Sequence, residues 1–257
     1  MKLNLVPART GFTWVKLGMQ TFWRQPLALT SLFFLYFGVM LLLTRLPVAG
    51  PVLGGLLVPA ATLGFMAATE LAHRGKTPLP TVLLSAFRAG RQRSSAMLQL
   101  GVMYTTASLL VTQLGQWLVG GTPAPGSGEA GMPFSSAVLL SLALHLPIFL
   151  LFWHAPALVH WHGVAPVKSL FFSAVACLRN IGALLVFGLC WFLVLVLLGA
   201  AINIVGTLVA GATVGRLVVA PLLLAVGAMF TTSFYFTFRD SFEGAGAQPP
   251  PATGALP

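Results

Sequence analysis

Apolar residues in this chain gather into long runs separated by short polar connectors. Six runs stand out, at about residues 27–43, 52–72, 96–119, 137–158, 181–204 and 211–238. They are near or above the roughly 18 residues that a spanning helix requires. In lipid each backbone polar group must be satisfied within its own element, so the runs predict helices. A membrane barrel would instead show alternating segments of about ten residues. The predicted fold class is all-α, a polytopic integral membrane helix bundle with six transmembrane helices. It forms one unit over residues 1–243, followed at 244–257 by a disordered tail rich in Pro, Gly and Ala.

Three connectors have helical periodicity of their own. In residues 8–25, Arg9, Thr13, Lys16, Gln20 and Arg24 share one arc of a helical wheel, and Phe12, Val15, Met19, Phe22 and Trp23 share another. After Pro80, the polar stripe Ser85, Arg88, Arg91 and Gln92 opposes Leu83, Ala86, Phe87 and Gly90. Residues 166–179, PVKSLFFSAVACLR, form the third. Such segments suit amphipathic helices lying in the membrane interface, with Trp14, Phe22 and Trp23 as aromatic anchors. Pro26 turns the chain after the first of them, and Pro59, Pro147 and Pro156 fall inside spans as sites for kinks. Gly50/Gly54, Gly64/Ala68 and Gly211/Gly215 are small-residue pairs that permit close helix approach.

Composition agrees with this pattern. The chain is 57% apolar and only 7% charged, whereas soluble domains average near 25% charged. The net charge of +10 sits at span boundaries rather than on one face, so nucleic acid is not an expected partner. The densest cluster is HRGKTPLPTVLLSAFRAGRQR, residues 73–93. Positive connectors stay cytoplasmic. With both termini inside, all fourteen Lys/Arg except Arg45 and Arg216 fall on the inner side. The first apolar run starts at Leu27, is longer than a usual signal-peptide core and lacks a small-x-small site after it, so it is expected to remain as an anchor. Cys177 and Cys190 lie thirteen residues apart, about 20 Å along a helix. That is too far for a disulfide.

The chain offers one unit three times: an interfacial helix, a basic residue, a span, an outer turn and a returning span. Arg24, Arg93 and Arg179 each precede an odd-numbered span. Each unit starts and ends inside, so the expected repeat is parallel rather than inverted.

Catalytic signatures are missing. The sequence has no GxxxxGK[ST], HExxH or GxSxG. Its four carboxylates, Glu70, Glu129, Asp240 and Glu243, all avoid the middle of a span. Proton-coupled carriers and intramembrane hydrolases generally need ionisable groups there. Histidine is the exception. His145 lies mid-span, and His154, His160 and His162 follow around Pro156. His154, His160 and His162 could ligate a metal or haem if the proline break gathers them, whereas His145 falls on a nearly opposite helix face from His154. The alternative is neutral imidazoles bonded to backbone carbonyls freed by proline, or interfacial histidines in water.

The opening MKLNLVPARTGFTWVKLGMQTFWRQPLAL, then VPAATLGFMAAT and LLSAFRAGR, resemble an uncharacterised family of bacterial, mostly betaproteobacterial, inner-membrane proteins. The likeness covers most of residues 1–240. It implies six spans in the inner membrane and carries no activity or functional residues. More loosely, the units resemble other six-span families, one related to the membrane domain of some glycerophosphodiester phosphodiesterases; the catalytic domain of those enzymes has no counterpart here.

Three expectations follow. The first is a non-enzymatic inner-membrane protein without a cofactor, whose basic elbows engage anionic phospholipid headgroups or a membrane partner, including a homo-oligomer. Arg88, Arg91, Arg93, Arg24 and Arg179 would contact headgroups. The alternative is a channel or facilitator for a small solute, lined by Gln99, Gln113, Gln116, His145 and Arg216. The third is a metal or haem protein built on the histidines.

Overall fold

The computed structural model describes residues 2–119, 136–205 and 211–242, with side chains except at 119, 136–137 and 202–220. The predicted tail at 244–257 and the connector at 120–135 lie outside the described residues. Among the described residues the chain is helical, without strands. Six stretches are long and apolar enough to cross a membrane: Pro26–Leu43, Ala49–His73, Arg91–Leu118, Val138–His162, Ile181–Ala201 and Pro221–Phe242.

Helix α1, Thr10–Arg24, ends one residue before α2, Pro26–Leu43. The turn sits at Gln25 (φ −144°, ψ 59°). Pro26 opens α2, where its missing N–H has no helical partner to lose. Helix α3, Ala49–His73, returns and runs through Pro59 without ending. The next connector is a 3-10 turn at Pro80–Leu84 and a single helical turn, α4, Ser85–Arg88. Gly90 then takes φ 96°, outside the helical region, and α5 starts at Arg91 and runs to Val119. The predicted interfacial helix is therefore divided. Arg91 and Arg93 belong to the first turn of a span rather than to the stripe with Arg88.

The fourth span is also divided, into α6, Ser136–Phe152, and α7, Ala155–His162. The break falls at Trp153 and His154. Pro156 sits in the first turn of α7, where proline is tolerated. Ser173 closes the gap: its Oγ accepts the His154 N–H at 2.9 Å and donates to the Leu150 carbonyl at 2.8 Å. Ser173 belongs to α8, Pro166–Arg179, which matches the third predicted connector helix. Helices α9, Ile181–Val205, and α10, Gly211–Phe242, complete the chain.

The packing has a cyclic order. Helix α1 lies on α10, the 3-10 turn and α4 lie on α3, and α8 lies on α6 and α7. Each elbow thus covers the returning span of the preceding unit, with the first elbow covering the last. The arginines do not keep this register: Arg24 and Arg179 end their helices, whereas Arg93 lies inside α5.

Interior side chains form three clusters. Trp14, Leu158, Phe187, Phe236 and Phe238 join α1, α7, α9 and α10. Leu63, Met97, Leu100 and Phe152 join α3, α5 and α6. Phe22, Leu32, Phe65 and Ala72 join α1, α2 and α3. Gly64 receives Leu83, whose Cα would stand 2.8 Å from a Cβ there, so this small residue serves the chain's own 3-10 turn. The surroundings of Gly211 and Gly215 lie outside what is described.

Candidate functional site

Helix α1 has two apolar faces. Gly11, Trp14, Val15, Gly18, Thr21 and Phe22 are buried in the bundle. A Cβ on Gly11 would fall on the Ala183 carbonyl, and one on Gly18 would fall on Ser233, so the two glycines set how closely α9 and α10 approach. Trp14 and Phe22 are consequently not surface anchors. Trp14 is wholly buried, with its Nε1 donating to Asp240 Oδ2 at 2.9 Å, and Phe22 packs in the cluster with Leu32 and Phe65. Trp23, 67% exposed, keeps the surface position expected of it, and Phe12 joins it there.

The N-terminal strap, residues 2–9 ahead of α1, is tied to the same end. Asn4 N–H donates to the Ser241 carbonyl at 2.8 Å, Val6 N–H donates to Asn180 Oδ1 at 3.0 Å, and Asn180 Nδ2 donates to the Asn4 carbonyl at 3.1 Å. Asn180 joins α8 to α9, so one amide links the strap, α9 and the end of α10. Nothing in the apolar pattern singles out Asn180 or Ser173. The seven-residue spacing of Gly11 and Gly18 was the available signal for a buried face on α1.

The surface of this end repeats one chemistry. On α1, Lys16, Met19, Gln20, Trp23 and Arg24 line a shallow open concavity. At α4, Leu84, Phe87, Arg88 and Arg91 are exposed together. On α8, Val167, Lys168, Phe171 and Arg179 are exposed together. Each elbow therefore turns a large apolar side chain and neighbouring cations outward. Arg93 is half-buried.

Not every cation is free. Arg239 pairs with Asp240 (Nη2–Oδ1 2.8 Å) and lies over the Phe236 ring at 5.0 Å. Arg74 pairs with Glu70 at 2.5 Å. Arg24 reaches the His73 carbonyl at 3.4 Å. Among the described residues, Lys16, Arg88, Arg91, Lys168 and Arg179 form no ion pair.

The expected solute path is not brought together. Gln99, Gln113 and Gln116 are exposed on α5. His145 Nδ1 lies 2.8 Å from the Ser141 carbonyl of its own helix and donates to it. The side chain of Arg216 lies outside the described residues. The later histidines do not gather either. His154 is buried against Phe238 and Phe242, and His162 lies tilted beside the Phe238 ring. Among the described residues, no three His, Cys, Asp or Glu side chains converge as metal ligands.

Cys177 is buried on α8. Burial pushes its thiol up to about 12, a shift that a hydrogen bond with Ser173 partly offsets. It has the character of an inert packing residue.

No family profile matches the chain, and no solved structure matches it. A relative from Burkholderia thailandensis, named as a probable inner membrane protein, is 38% identical over 98% of this chain and 97% of its own length. The two share a family at that identity and coverage. The chain belongs to this family of bacterial inner-membrane proteins, as a multi-pass member with six spans.

Proposed function

We propose that this is a non-enzymatic inner-membrane protein whose basic end faces the cytoplasm, with both termini there, and holds anionic phospholipid headgroups through its three elbows. One observation carries the reading: all three elbows expose an aromatic or aliphatic side chain beside cations that form no ion pair among the described residues. An apolar side chain seated at the acyl boundary places its neighbouring cation at headgroup depth. Each such cation contributes roughly 1 kcal/mol toward an anionic surface. The excess of Lys/Arg on this side supports the cytoplasmic placement.

The test compares wild type with the triple variant Arg88→Gln, Arg91→Gln, Arg93→Gln in nanodiscs of mixed phosphatidylglycerol and phosphatidylcholine. Native mass spectrometry after release should show phosphatidylglycerol retained selectively by wild type. The variant should lose up to roughly two orders of magnitude of that selectivity. Equal retention of both lipids by wild type, or an unchanged preference in the variant, would overturn the proposal.

A further inference from the structure

Helix α5 shows a second pattern on the face opposite its packing surface. Its inner face, carrying Met97, Leu100, Gly101 and Thr105, is buried in the bundle. On the outer face, Gln99, Thr106 and Gln113 recur at intervals of seven residues, with Ser95, Val102 and Leu109 between them, and all six are exposed. Residues alternating at four and three form one seam along a helix. At 1.5 Å per residue, Gln99 and Gln113 stand about 21 Å apart. Both therefore fit within a hydrocarbon layer of about 30 Å.

This placement is unfavourable in a lone chain. Among the described residues, the side chains of Gln99, Thr106 and Gln113 have no hydrogen-bond partner. Lipid supplies none, and polar side chains in spans usually bond across to another helix. The seam is also free of charge: α5 carries no Lys, Arg, Asp or Glu after Arg93. From Ser95 to Gln113 two identical copies of it can meet without like-charge repulsion, the exposed Arg91 lying one turn outside that stretch.

We infer that this seam is where a second copy of the same chain docks, α5 against α5, in a parallel twofold dimer. The chemistry selects a copy of itself. A carboxamide is both donor and acceptor, and a hydroxyl is likewise, so a twofold axis can set Gln99 against Gln99, Thr106 against Thr106 and Gln113 against Gln113 with complementary partners. Two copies inserted with the same sidedness align these levels automatically. The seven-residue repeat sets a left-handed crossing near +20°. The proposal is independent of lipid binding by the elbows, which lie at one end of the bundle.

The experiment uses the full chain in proteoliposomes. Gln99→Cys and Gln113→Cys, each made separately in a Cys177→Ala, Cys190→Ala background, should cross-link to their own counterparts under mild oxidation. Leu185→Cys, on an exposed position of α9 (66% exposed), should not. In dilution measurements by single-molecule photobleaching, Gln99→Leu with Gln113→Leu should weaken association by roughly tenfold or more. The melting temperature of the detergent-solubilised monomer should stay unchanged, since these exposed side chains have no hydrogen-bond partner among the described residues of one copy. A monomer at every protein-to-lipid ratio would overturn the inference. So would a dimer cross-linked through α9 but not α5, association indifferent to the leucine substitutions, or stoichiometric recovery with a different protein on this face.

Discussion

Trp14 and Asp240 meet in the interior, the indole N–H donating to the carboxylate at 2.9 Å and joining the first helix to the last. Arg239 holds the other carboxylate oxygen. Trp14→Phe keeps an aromatic ring but leaves a charged acceptor with one partner fewer. It should destabilise the fold by about 2 kcal/mol, the range for a buried hydrogen bond to a charged group. Trp23→Phe, on the exposed face of the same helix, should leave stability unchanged. Thermal unfolding in detergent, followed by fluorescence, separates the two.

Ser173 bridges the gap between α6 and α7, bonded to His154 N–H and the Leu150 carbonyl. Ser173→Ala removes both partners at once. The expected loss is about 2–4 kcal/mol, because two buried backbone groups become unpaired. Ser173→Thr keeps the hydroxyl and should retain more of the stability than alanine does. Denaturation midpoints of the two variants against wild type provide the check.

Glycines on different faces should respond oppositely to one added methyl. Gly11→Ala would place Cβ on the Ala183 carbonyl, and a backbone neighbour cannot move aside as a side chain tip can. It should cost about 1–3 kcal/mol through overpacking. Gly38→Ala, with nothing within 4 Å of the new atom, should gain roughly 0.5–1 kcal/mol through helix propensity. Paired melting curves distinguish the outcomes.

Cys177 should resist alkylation in the folded protein at pH 8 and react after denaturation, as peptide mass spectrometry can establish. Its linkage has a definite sign. The folded thiol is raised to about 12 from an ordinary value of 9.0. Between those values the unfolded state releases a proton that the folded state keeps, so stability should fall as pH rises from about 9 to about 12. Cys177→Ala should flatten that part of the pH profile.

Sidedness is measurable directly. Single cysteines at Leu46 and Lys76 in a cysteine-free background should label from opposite faces of intact inner-membrane vesicles. Access from the same face would contradict six crossings, and labelling of Lys76→Cys from the periplasmic face would reverse the proposed orientation.

Six apolar runs of spanning length were legible before any contact was known, since lipid leaves such runs little alternative to helix. The connector helix at 166–179 was also legible, with a span following each elbow. Local pattern was less informative where two environments look alike. Val15, Phe22 and Trp23 share an arc of α1, yet the first two face protein and Trp23 faces outward. Hydrophobicity alone does not distinguish lipid from a protein interior of similar polarity. The division of the 80–93 connector was carried by one residue, Gly90, whose positive φ ends a stripe that a helical wheel treats as continuous.

The sequence by itself determined the class of environment, the number of crossings and the separation of charge between the two ends, because transfer energies act residue by residue along the chain. Tertiary structure alone decided that α1 is partly core, that Ser173 closes a break about twenty positions upstream, that Asn180 ties the N-terminal strap to α10, and that the glutamines of α5 face outward. Each of these depends on which helices become neighbours. That choice rests on close approach and partner geometry between residues far apart in sequence, neither of which is written in a run of apolar letters.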